Sequence, residues 1–172
     1  MRSSWSSTTH SFEAVFAIEY PRMVALAAAA GGSRAQAEDI AQEAMTKLHR
    51  DWDRIGTYDR PDLWLRRVTV NQARSWRRRL GAEGRALLRL GPAEATLPPT
   101  SEEDAPLWQA VNALPTMQRT VLALRHLEGH PLTDIAEMLD ISASTARVHL
   151  HRAKQQLQRR FDTEYLTMGD AR

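Results

Sequence analysis

The 172-residue chain is 42% hydrophobic and 26% charged, a composition that supports a buried core and excludes a disordered or low-complexity class. Its net charge is only +2, and the absence of cysteine excludes disulfides and thiolate metal sites and agrees with a reducing compartment. The longest apolar run, Met23 to Ala30, is too short to span a bilayer, and the opening MRSSWSSTTH lacks the apolar centre of a secretion signal. A cytoplasmic protein without membrane insertion is therefore expected.

Length alone allows one domain or two. After a Ser/Thr-rich lead-in, Ser11 is a plausible N-cap for a first helix with Phe12, Val15, Phe16, Ile18 and Tyr20 on a broad apolar face. Pro21 fits the opening turn of a second helix, which runs through the alanines and stops at Gly31-Gly32. Ser33 is placed to cap a third, Arg34 to roughly Trp52, with Ala37, Ile40, Ala41, Ala44, Leu48 and Trp52 on one stripe. Its outer face carries Glu38, Asp39, Gln42, Glu43 and Lys47, which by themselves read as a solvated helix face.

Arg54 to Pro61 reads as a loop. Asp62 is a candidate cap for a fourth helix, Leu63 to about Leu80, whose inner face is marked by Trp64, Leu65, Val68, Trp76 and Leu80. Its second half turns Asn71, Arg74, Arg77 and Arg78 outward. Arginines near a helix C-terminus answer the helix dipole, but this tract holds more than capping requires and suggests a polyanion-facing surface. From Arg66 to Arg89 eight arginines face the single acid Glu83, and from Glu94 to Asp104 the sign reverses. Residues 81–105, rich in Gly and Pro, read as a linker between domains at 1–80 and 106–172.

Pro106 or Leu107 restarts helix, Pro115 breaks it, and Thr116 is expected to cap the next, which holds Val121, Leu122, Leu124 and Leu127. The stretch that follows, PLTDIAEMLDISASTARVHLHRAKQQL, is the strongest signal in the chain. Thr133 is a candidate cap for a short helix, Asp134 to Leu139, and Asp140-Ile141-Ser142 interrupts the pattern. Ser142 or Ser144 then caps a helix with Ala146, Leu150, Ala153 and Leu157 on one buried stripe and Arg147, His149, His151, Arg152 and Lys154 opposite. Two short helices, an apolar turn residue and a basic second helix make a helix-turn-helix, whose second helix enters a major groove. No stretch alternates as a strand would, so the fold is expected to be all-α: two small helical domains joined by a linker.

Taken together, AEDIAQEAMTKLHRDW (Ala37 to Trp52), WLRRVTVNQARSWRRR (Trp64 to Arg79) and the block from Ala113 to Leu157 resemble, in that order, the extracytoplasmic-function sigma factors of the sigma-70 family, with an actinobacterial flavour. The resemblance implies a non-catalytic, cofactor-free subunit that binds core RNA polymerase and directs it to promoter DNA. An anti-sigma factor is among the partners it allows. It assigns polymerase docking to Glu38, Asp39, Gln42 and Glu43, with Ile40 packing beneath. Recognition of the −10 element would fall to the loop around Tyr58 and to Asn71, Arg74, Arg77 and Arg78.

For the −35 element, base contacts are expected from Ala143, Ser144, Thr145, Arg147, Val148 and His151 at the exposed start of the second helix. Arg119, Arg125, His149, Arg152 and Lys154 are expected to contact phosphate. Three departures from the family pattern stand out: Asp140 in place of a turn glycine, Ser144-Thr145-Ala146 at the start of the recognition helix, and His149 where a basic residue is usual.

Two rival classes can be weighed on residues alone. A zinc hydrolase lacks support, because His149 and His151 are two apart on a helix and point in different directions, while His126 and His130 straddle Gly129 with no acid-histidine helical pair to accompany them. A stand-alone helix-turn-helix regulator accounts for the second half of the chain but leaves the acidic helix and the Asn71 to Arg79 face without a use.

Overall fold

A computed structural model of the chain describes residues 11–31, 34–83 and 105–169. Among these residues the secondary structure is eight α-helices and no strand. The stretch expected to be a linker lies almost wholly outside the described residues, as does Ser33.

Helix α1 (Phe12–Ala29) opens at Ser11, whose hydroxyl accepts the amide of Ala14 at 3.3 Å. Pro21 does not begin a second helix, as the sequence suggested; it lies inside α1. An internal proline costs about 3 kcal/mol or more. Here Met23, Leu26 and Ala27 beyond it are fully buried, and burial of the two larger side chains alone returns about 1.5–3 kcal/mol each. Packing therefore carries the helix through the proline. It ends where Gly31 takes a φ of 105°.

Helix α2 (Arg34–Arg50) stops two residues before the expected Trp52, because Asp51 leaves helical geometry and a separate turn, α3 (Trp52–Ile55), follows. Helix α4 (Pro61–Glu83) starts at Pro61, so Asp62 is not its cap. Asp62 is instead buried in the first turn, where its carboxylate accepts both Nε and Nη2 of Arg60 at 3.3 Å. The helix also runs three residues past the boundary expected at 80.

The second half holds α5 (Ala105–Asn112), α6 (Thr116–His126), α7 (Leu132–Leu139) and α8 (Ala143–Gly169). Two expected caps are displaced. Pro115 and Pro131 occupy the N-cap positions of α6 and α7, and Thr116 and Thr133 fall inside the helices. Proline suits both places, since it fixes φ where no donor is needed.

The halves pack directly on each other. A single cluster joins Met23, Leu26, Met45, Leu48, Leu63 and Leu65 of the first half to Val121, Leu124, Ile135, Met138 and Leu139 of the second. A second cluster joins the alanines ending α1 to Val111 and Ala123. Among the described residues no helix is long and apolar enough to cross a membrane.

Candidate nucleic-acid interface

The helix-turn-helix is built as the sequence suggested, with a backbone reason for its turn. Asp140 sits at φ 55° and ψ 50°, the left-handed conformation that short polar side chains tolerate. The amide of Ile141 bonds back to the Ala136 carbonyl at 3.0 Å and that of Asp140 to Glu137 at 3.3 Å, so the last carbonyls of α7 are satisfied in a Schellman arrangement. Of the two candidate caps for α8, Ser142 is the one used: its Oγ accepts the Thr145 amide at 3.0 Å.

Ala146 and Ala153 are fully buried, with Leu150 nearly so, and the opposite face of α8 is open. Ser144, Thr145, Arg147, Val148, His151, Arg152 and Lys154 are exposed, and Ala143 and His149 are half-buried. Val148 is 45% exposed, an apolar side chain in the middle of a basic face. That pattern suits a helix in a major groove, where arginine pairs with guanine and an apolar group with a thymine methyl.

Two of the expected phosphate contacts are placed differently. Arg125 is exposed, and its Nη1 donates to the His130 carbonyl at 3.0 Å. Arg119 is turned inward and only 5% exposed. Its Nε donates to the carbonyl of Ala29 at 2.9 Å and its Nη1 to that of Asn112 at 2.7 Å. In this arrangement it closes the C-terminus of α1, whose orphan carbonyls need a donor, and it does not face solvent.

On α4, Asn71, Arg77 and Arg78 are exposed as expected. Arg74 is half-buried, donating from Nη1 to the Leu139 carbonyl at 2.9 Å, with Nη2 3.3 Å from the Met117 sulfur. Burial, reinforced by Arg78 and Arg77, pushes its guanidinium below the usual arginine range, against the pull of Asp140. Tyr58, 38% exposed, lines a cleft of about 380 Å³ together with Asp59, Arg60, Trp64, Glu137 and Met138. Trp64 packs partly against the core and Trp76 against the alanine cluster, so neither is a bare stacking platform.

The acidic helix offers a separate surface. Asp39, Gln42 and Glu43 are exposed, Glu38 is half-buried, and Ile40 is buried beneath them. Glu43 pairs with Lys47 at 3.0 Å. Among the described residues no group of three His, Asp or Glu could hold a metal ion.

Sequence reasoning missed the ionic contacts that join the halves. Arg66, which looked like part of a surface arginine tract, is buried between Glu19 and Glu128, and Arg60 reaches Asp134 at 2.9 Å. The available signal was weak: Arg66 falls beside Leu65 and Thr69 on the inward side of α4.

Comparison with known proteins agrees with this geometry. Residues 15–83 match the family described as Sigma-70 region 2, and residues 104–157 match Sigma-70, region 4. A probable RNA polymerase sigma factor, RfaY of Xanthomonas campestris pv. campestris, is 32% identical over 158 residues, covering 82% of this chain but 39% of the relative. The RNA polymerase sigma-E factor of Streptomyces antibioticus is 32% identical over 133 residues, 76% of this chain and 73% of that one. Among solved structures, the sigma factor RpoE in complex with the anti-sigma factor NepR from Bartonella quintana superposes with a TM-score of 0.71 at 22% identity, over 86% of this chain and 94% of RpoE.

Proposed function

The chain belongs to the extracytoplasmic-function group of the sigma-70 family, and we propose that it acts as an alternative sigma factor, binding core RNA polymerase and directing it to promoters. In this reading the exposed acids of α2 dock on a basic surface of the polymerase, steering association more than supplying affinity. The Tyr58 loop and the Asn71, Arg77 and Arg78 face engage the −10 element, where an unpaired base is held by stacking and polar contacts. The start of α8 reads the −35 element through Ser144, Arg147, Val148 and His151. Residues 1–80 and 106–172 divide these tasks, and the chain performs no chemistry itself.

The observation that carries the proposal is the coexistence, on one chain, of an exposed recognition helix and a separate exposed arginine face on α4. A stand-alone regulator needs only the first. We extend the reading to an anti-sigma partner and to an actinobacterial affinity. The first draws on the complex formed by the Bartonella protein. The second draws on the Streptomyces relative, which the Xanthomonas protein equals in identity.

The test is gel filtration of the protein with sigma-free core polymerase. Co-elution at one to one, abolished by Asp39→Lys with Glu43→Lys, is the expected result. A protein that ignores core, dimerises and binds duplex alone would be an ordinary regulator. Recovery from native cells with no stoichiometric companion other than polymerase would remove the anti-sigma partner.

A further inference from the structure

A cavity of about 230 Å³ lies between the acidic helix α2 and the second half of α4. Helix α2 lines it with Asp39, Ile40 and Glu43, and α4 with Gln72, Trp76 and Arg79. Gln72 is the unusual member. Its Oε1 and Nε2 are both buried, and neither has a hydrogen-bond partner. Among the described residues it is the one side chain with two polar atoms orphaned together. Folded proteins seldom keep a buried polar group unpaired, so an amide left in this state calls for an explanation, a missing ligand among them.

The groups around the amide decide the charge of the occupant. Asp39 and Glu43 are exposed and four residues apart, so two carboxylates share one face of α2 at the opening. They repel a phosphate and attract a cation. Glu43 already pairs with Lys47 at 3.0 Å, but both side chains are exposed, and such a pair contributes little and yields to a better partner. Trp76 packs against the alanine cluster and also lines the cavity, beside the buried Ile40. An aromatic ring next to carboxylates favours a guanidinium over an ammonium, because the planar group stacks on the ring and spreads five donors over several acceptors. Arg79 opposes any cation from the rim, but it is exposed and can turn into solvent.

We propose that this cavity is a socket for one arginine side chain of the polymerase, with Gln72 and Trp76 of α4 as the residues that select it. The proposal rests on the sigma reading and deepens it. Exposed acids steer a basic surface towards α2, but steering fixes encounter more than residence. Residence comes from a few desolvated anchors, of which arginine is among the commonest. The guanidinium donates to Oε1 of Gln72 and to the carboxylates of Asp39 and Glu43, and its plane lies against Trp76. Docking on α2 is thereby read partly by α4, the helix that carries the arginine face. Gln72→Met keeps the length of the side chain and removes the orphaned amide. It should hold or raise stability while losing the contact, because an unpaired amide exchanged for an apolar group of similar shape is neutral or stabilising. A merely structural role for Gln72 would move stability and binding the same way.

The test titrates sigma-free core polymerase into the fluorescently labelled full-length protein and into Gln72→Met, at fixed salt, with urea midpoints measured for both. The socket predicts that Gln72→Met binds core about ten-fold more weakly at an equal or higher midpoint, since a hydrogen bond to a charged group is lost. A second measurement needs no substitution. Argininamide, at equal ionic strength, should inhibit core binding by the unaltered protein more than lysinamide does, and the difference should vanish in Gln72→Met. If Gln72→Met does not fold, the two amides decide: equal inhibition would overturn the socket. Failure of the unaltered protein to bind core would sink the sigma reading and the socket with it. Normal core binding that Gln72→Met leaves unchanged would sink the socket alone.

Discussion

Nε of Arg66, on α4, donates to Oε2 of Glu128, 62 residues further along the chain and just ahead of the helix-turn-helix. The same guanidinium donates from Nη2 to Glu19 of α1 at 3.0 Å and from Nη1 to the Asp62 carbonyl at 3.1 Å. It is 2% exposed. Burial opposes its charge, but the charges of Glu128 and Glu19 outweigh burial and hold the guanidinium above the usual arginine range. One side chain thus ties three segments together. Removing one member of such a group leaves uncompensated buried charge, which typically costs about 3–5 kcal/mol. Arg66→Met is accordingly expected to lose stability on that scale in urea unfolding, with Arg66→Lys losing less. A loss below about 1 kcal/mol would mean that the pairing contributes little beyond packing.

Acid should weaken the same junction. Burial, the largest influence on Glu128, would raise its carboxyl, but His130, with Nε2 3.6 Å away, and Arg66 outweigh it and keep it below the ordinary carboxylate value. A carboxyl depressed in the folded state stabilises the protein at pH values above its unfolded value of about 4.3. As pH falls through that value towards the folded one, the unfolded chain binds more protons and the stability is lost. Glu128→Gln should therefore lower stability near neutrality and flatten the fall below about pH 4. Urea midpoints measured for both proteins across this range check it; parallel curves would refute it.

The turn of the helix-turn-helix makes a prediction that separates backbone from side chain. Asp140 is the one non-glycine residue with positive φ among those described. The left-handed conformation costs most L-residues roughly 1–2 kcal/mol, and Asp or Asn somewhat less. Asp140→Ala should destabilise by about 1 kcal/mol, and Asp140→Gly should be neutral or mildly stabilising. Thermal unfolding of the two variants decides. Equal losses in both would assign the effect to the lost carboxylate and its attraction to Arg74.

What the sequence disclosed and what it hid divide along a physical line. The stripe of Ala146, Leu150, Ala153 and Leu157 was legible because helical period alone determines which side of α8 is buried, and the exposed reading face follows by subtraction. The turn at Asp140 was legible because its neighbours end a helical pattern. Pro21, Asp62 and Thr116 were misread for the opposite reason. Each obeys a local rule that tertiary contacts override: burial of Met23 and Leu26 carries α1 through its proline, Arg60 draws Asp62 into the first turn of α4, and Pro115 takes the cap that Thr116 could have supplied. Arg66 and Arg119 looked like surface cations because no pattern along one chain reveals a partner 62 or 90 residues away.

Three arginines of the second half should respond to substitution in three different ways. Arg147 and Arg152 are both exposed on α8, but Arg147 lies one turn from the helix start, where base edges are met, and Arg152 lies beyond it. Arg147→Ala should cost about 1–3 kcal/mol on a cognate promoter and relax preference at one base pair. Arg152→Ala should weaken binding uniformly across sequences and reduce the slope of log K against log salt by about 1, because one phosphate neutralisation is lost. Arg119, bound to the carbonyls of Ala29 and Asn112, should leave that slope unchanged, and Arg119→Ala should instead lower the unfolding midpoint, since a buried and a part-buried carbonyl each lose a charged donor. Duplex titrations at several salt concentrations, alongside urea unfolding, resolve the three. A salt slope reduced by Arg119→Ala without loss of stability would mean that this side chain turns outward to meet phosphate, and that the closed packing of α1 against α6 is not the form that binds DNA.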